Sequence, residues 1–164
     1  MKELFAKVNL RRLLLYVLYL FLVLVFQTMA LTQLRPLGVC PFILPAAAVA
    51  VGMFEGASWG AVFGLVLGIF TDMAYVESTI GYTLLFPAIA FAVGFVSQFF
   101  INRRFFAFMV ATCAALLITG VFQMVKVLAS EGWSFSLLYT VILQTVWSLV
   151  PAVLAYLPPA KWID

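Results

Sequence analysis

Few residues of this chain are equipped for chemistry. The 164-residue sequence holds no histidine, six acids and two cysteines. Without histidine no Ser/His/Asp arrangement can form, and there is no phosphate loop, nucleophile elbow or paired-histidine helix. Cys40 and Cys113 lie in separate apolar runs without metal-ligand spacing, and read as structural thiols rather than a disulfide or metal site. Glu55, Asp72, Glu77 and Glu131 fall near the ends of apolar runs, so no chain of acids of the kind a proton relay uses crosses the apolar segments. The residues therefore give no catalytic group, no cofactor and no metal site. Gln27, Gln98, Gln123 and Gln144 each sit in or near the end of a different apolar run. An amide in hydrocarbon needs a partner, and such bonds between helices are worth roughly 0.6–2 kcal/mol. Two uses stay open for them: joining helices, or lining a polar cavity for a ligand.

The elements that must position these groups are membrane spans. Hydrophobic residues make up 66% of the chain and charged residues 9%, with a mean hydropathy of +1.20, against roughly 45–50% and 25% in soluble domains. Residues 1–164 read as one integral membrane domain, all-α and polytopic. About 20 apolar residues cross the hydrocarbon, and six spans are expected at about 13–31, 37–54, 59–75, 82–101, 105–128 and 135–157. The basic start followed by an apolar run also describes a signal peptide cut after Ala30, but is read as the first span. Pro41 and Pro45 predict an irregular end to the second span, Ser58 a cap for the third, Gly81 a turn, Pro87 a kink, and Pro158-Pro159 the end of the sixth.

With the N-terminus in the cytoplasm, seven basic residues fall inside (Lys2, Lys7, Arg11, Arg12, Arg103, Arg104, Lys161) and two outside (Arg35, Lys126). This is the asymmetry of the positive-inside rule. The net charge of +3 is thus a topology signal, not a nucleic-acid surface.

The most informative stretch is 52–81. Gly52, Gly56, Gly60, Gly64 and Gly68 recur every fourth residue, and Asp72 takes the next place. A four-residue step makes a slowly drifting ridge on a helix. In water each interior glycine costs about 1 kcal/mol relative to alanine; in lipid, small residues four apart let backbones approach closely. The ridge reads as helix packing or a partner contact, and the third span, of marginal length, as the bundle centre. Asp72, beside a span, is expected to face a cavity, a partner or the interface.

Pro45, Gly52, Gly60, Gly64-Leu65, Gly68, Asp72 and Gly81, set in six short spans with a basic N-terminus, resemble the bacterial rod shape-determining protein MreD family. The resemblance implies a six-transmembrane-helix bundle similar to the substrate-binding subunit of energy-coupling factor transporters. It implies a bacterial cytoplasmic (inner) membrane location with both termini cytoplasmic. It further implies a non-enzymatic scaffold for lateral cell-wall synthesis. The partner would be MreC, a single-span protein, with MreB and cell-wall synthase components reached indirectly and membrane lipid around the bundle. Gly52, Gly56, Gly60, Gly64, Gly68, Asp72, Glu77 and Gly81 would form the packing or partner interface. Whether the bundle is a monomer or a homodimer stays open. The alternative is a vitamin-binding membrane subunit of an energy-coupling factor transporter, built on the same six-span plan.

Overall fold

The computed structural model describes residues 10–31, 33, 38–74, 81–99, 105–131 and 135–162. Among them are six α-helices and no strand: α1 (Leu10–Val25, running on as a π-helix over Phe26–Leu31), α2 (Leu44–Glu55), α3 (Ala57–Ala74), α4 (Gly81–Phe99), α5 (Phe105–Glu131) and α6 (Phe135–Trp162). α3 to α6 are each long and apolar enough to cross a membrane; α1 and α2 are shorter apolar helices. The outward faces carry large apolar side chains, among them Phe70, Met73, Leu84, Phe106 and Val150. Apolar surface on that scale suits lipid rather than water, and the chain is a membrane protein on these grounds.

The centre is α2, not the third span. Every residue from Leu44 to Phe54 is buried, whereas about two-fifths of α3 is. The run LPAAAVAVG is small and apolar all round, so it has no face to offer water or lipid. It touches α3 and α4 on one side and α5 and α6 on the other. The expectation built on the shortness of the third span is therefore corrected. At 12 residues, α2 is about 18 Å long, shorter than a span, and residues 39–43 precede it, with Pro41, Phe42 and Ile43 buried.

That segment, 39–43, is not helical, as the two prolines predict. Pro45 falls in the first turn of α2, where a missing N–H costs nothing. At its other end α2 passes into α3 through one residue. Gly56 has φ +92°, a conformation that disfavours any side chain; its N–H donates to the Gly52 carbonyl (3.1 Å) and its own carbonyl accepts from Gly60 N–H (2.9 Å). Gly56 thus closes one helix and opens the next, and Ser58, exposed in the first turn of α3, does not take the capping role expected of it. Two further corrections concern helix ends. Gly81 is the first residue of α4 rather than a loop residue, and α6 continues through Pro151, Pro158 and Pro159 to Trp162.

α1 lies against the bundle along Tyr19, Val23 and Gln27, a buried line at four-residue spacing. Two hydroxyls pin it. Tyr16 donates to Glu55 Oε1 (2.6 Å) and Tyr19 to the Ala155 carbonyl (2.8 Å). At the far end Thr28 donates to the carbonyls of Leu24 (2.9 Å) and Val25 (3.2 Å); such back-bonding competes with the helical ladder, and it coincides with the wider π-turn that carries Gln27.

Candidate functional site

Three polar side chains of the apolar segments, Gln27, Gln144 and Ser148, gather around residues 40–43. Irregular backbone at membrane depth is tolerated only where its N–H and C=O groups find partners within the protein. Here side chains from two helices supply them. Gln27 of α1 serves two groups at once: its Nε2 donates to the Pro41 carbonyl (3.0 Å) and its Oε1 accepts from Ile43 N–H (2.9 Å). From α6, Ser148 Oγ accepts from Phe42 N–H (2.8 Å) and Gln144 Nε2 donates to the Cys40 carbonyl (3.4 Å). Pro41 itself has no N–H to satisfy. This strap, residues 39–43, is therefore stitched to the first and last of the described helices, with α2 leaving from its end.

Between the strap and α4 lies an aromatic cluster. The Phe42 ring packs against Tyr82 and Phe86, with centroids 5.9 and 6.2 Å away. Tyr82 meets Phe122 edge-on at 5.9 Å, and its hydroxyl accepts from Gln123 Nε2 (2.9 Å). Beside it the Asp72 carboxylate, on α3, takes three hydrogen bonds from the start of α4: Tyr82 N–H (3.2 Å), Thr83 N–H (2.8 Å) and the Thr83 hydroxyl (2.6 Å). The first N–H groups of a helix lack partners within it and carry partial positive charge. Asp72 acts as the N-cap of a helix it does not belong to.

The glycine ridge lies where α2, α3 and α4 meet. A methyl at Gly64 would stand 2.8 Å from the Phe86 carbonyl, at Gly68 2.5 Å from the Tyr82 carbonyl, and at Gly60 2.5 Å from the Gly52 Cα. Gly52 in turn faces the Ala90 carbonyl. In each case the neighbouring atom is backbone. Gly56 forms the hinge next to Gln98, Gly81 lies against the Phe122 ring, and Glu77 is outside the described residues. Thus Gly52, Gly60, Gly64, Gly68 and Asp72 come together along the seam of α2, α3 and α4, while Gly56 and Gly81 sit at its ends. Gln27, Gln123 and Gln144 bond across elements; Gln98 is exposed.

Several residues of this region escaped the sequence reading: Tyr16, Tyr19, Tyr82, Thr83, Ser148, and Gly94, whose Cα lies opposite Ala57 on α3. A signal existed for the hydroxyls, because any hydroxyl in an apolar run must find an acceptor. Cys40 and Cys113 are half-buried free thiols. Among the described residues no group of three His, Cys, Asp or Glu side chains is placed to hold a metal ion.

Between α5 and α6, behind Phe42, is a slot of about 10 Å³ whose polar walls are Thr119, Gln123, Gln144 and Thr145. Chemically the region can accept and donate neutral hydrogen bonds and hold backbone in place. Comparison with protein-family models, with curated proteins and with solved structures gives no match for this chain.

Proposed function

We propose that the chain is a non-enzymatic membrane scaffold of the MreD type, which crosses the bacterial cytoplasmic membrane six times and works by binding rather than by chemistry. One observation carries the reading: the motif residues that resemble that family act as a unit, with Gly52, Gly60, Gly64 and Gly68 bringing α2, α3 and α4 into backbone contact and Asp72 capping the last of them. A motif spent on fixing three helices rigidly suits a protein that must hold a partner in one orientation.

In this reading the glycine ridge is occupied by α4, so the single helix of an MreC-like protein meets the bundle elsewhere. The rim beside Asp72 and Glu77 is the favoured place, because it lies on the outer side of the membrane when the termini are cytoplasmic. α2 and the strap cross together as one span.

The test is co-purification. The tagged chain is extracted from its native membranes in mild detergent and its companions are identified by mass spectrometry. Recovery of a single-span coiled-coil protein supports the scaffold. Recovery of transporter ATPase subunits with a bound small molecule overturns it in favour of the vitamin-transporter alternative.

A further inference from the structure

We propose that the slot between α5 and α6 binds one water molecule, held by Thr119 and Gln123 of α5 and Gln144 and Thr145 of α6, and that this water joins the two helices behind the strap. The volume of about 10 Å³ is that of roughly one water. The chemistry of the walls defines what such a guest must do. Gln123 and Gln144 each give one amide N–H away from the slot, to the Tyr82 hydroxyl and the Cys40 carbonyl, which leaves each amide oxygen as an acceptor and its second N–H as a donor. Thr119 and Thr145 donate to the carbonyls one turn back, Ala115 and Val141, both at 2.8 Å, which leaves the lone pairs of their oxygens. The walls offer acceptors from two helices together with the remaining amide N–H groups, and a guest that both donates and accepts fits them. Water donates twice and needs two to four partners.

A bare cation would also be drawn to acceptor oxygens. However, no carboxylate lines the slot, and an ion without a counter-charge is costly in a low-dielectric interior. A neutral donor is favoured. A direct bond between the helices is also less suited here, since Gly120 already brings α5 within contact of Val141, where an added methyl would stand 2.7 Å from its side chain. The bridging water would fill the width left beside that close approach. The inference is independent of which partner the bundle holds.

The experiment uses the full chain. Thr119→Val and Thr145→Val are made singly and together, and thermal unfolding is followed in detergent at constant ionic strength. The two threonines bond their own helices, so they couple only through a shared guest. Each single variant is expected to lower the melting temperature, and the double variant to fall no lower than the worse single. Strictly additive losses would overturn the proposal. A second measurement does not depend on the variants folding. In bilayers, water-edited solid-state NMR of the unaltered chain should show magnetisation passing from water to the Gln144 side-chain amide as fast as to residues at the water interface. Transfer no faster than to lipid-facing side chains overturns the proposal, as does a melting temperature that rises when sodium replaces choline, since that would put a cation in the slot.

Discussion

The carboxylate of Asp72 and Thr83 are joined twice, through the Thr83 main-chain N–H at 2.8 Å and its side-chain hydroxyl at 2.6 Å. Asp72 lies near the end of α3 and Thr83 in the first turn of α4, so the bond ties two helices at the point where the chain turns back. Eleven residues before the capped position is a long reach for an N-cap. It is possible because Gly68, one turn earlier, lets α3 lie against the Tyr82 backbone. Cap and ridge are therefore one device.

Removing the cap should be felt as lost stability of the α3–α4 pair. Substituting a capping side chain by alanine costs about 0.5–2 kcal/mol. Asp72→Ala is expected to fall in that range, and Asp72→Asn, which keeps an acceptor oxygen, to lose less. Thermal unfolding in detergent with amide exchange at Tyr82 and Thr83 checks this. Equal losses for the two variants would mean that charge, not the hydrogen bonds, is what matters.

The ridge makes a sharper prediction. A methyl at Gly64 meets the backbone of Phe86 and Pro87, which cannot rotate aside as a side chain would. Overpacking of this kind costs about 1–3 kcal/mol, so Gly64→Ala should destabilise by about that amount although alanine is the better helix former. Ala61, half-buried on the same helix, is a position at which the reverse change, Ala61→Gly, should show only the glycine penalty of about 1 kcal/mol. Parallel unfolding curves of the two variants separate packing from propensity.

These contacts also show what could be read without coordinates. The ridge was legible because small residues four apart in an apolar run have one main physical use, close backbone approach. The helical character followed from the apolar runs, but not the bounds: α2 begins only at Leu44 and α6 continues to Trp162. The strap was legible only as an irregularity at Pro41 and Pro45. Its partners were not, because Gln144 and Ser148 lie more than 100 positions away in sequence, and no local pattern links them. The central helix was misread for a related reason. Ala46 to Ala50 has no apolar face as distinct from another, and the length of the third span drew attention from it. The partner is named by the resemblance, and the orientation is read from the basic residues at the span ends.

Thr112 sets the opposite sign of effect. Its hydroxyl is fully buried and has no hydrogen-bond partner among the described residues, whereas Thr71, Thr119 and Thr145 each donate to the carbonyl one turn back. An unsatisfied buried hydroxyl costs about 1–3 kcal/mol. Thr112→Val, of nearly the same shape, should leave the chain as stable or raise its melting temperature, while Thr71→Val should not raise it. A clear loss at Thr112 would show that the hydroxyl finds a partner in the membrane.

Gln27 carries the most concentrated load. Its one amide satisfies the Pro41 carbonyl and the Ile43 N–H, and it is 1% exposed. Gln27→Leu keeps the volume and leaves two buried backbone groups without partners, each costing about 1–3 kcal/mol. The expected loss exceeds that of Tyr19→Phe, which orphans one group, the Ala155 carbonyl, left without a helical donor because Pro159 stands four residues on. Gln27→Glu distinguishes the two bonds: a carboxylate can still accept from Ile43 N–H, but when ionised it repels the Pro41 carbonyl. Amide exchange at Phe42 and Ile43 is the direct readout. In Gln27→Leu the Ile43 amide should exchange markedly faster while Phe42, still bonded to Ser148, changes less. If both amides speed up together, the strap comes away as a unit, and α1 holds the start of α2 as well as the strap itself.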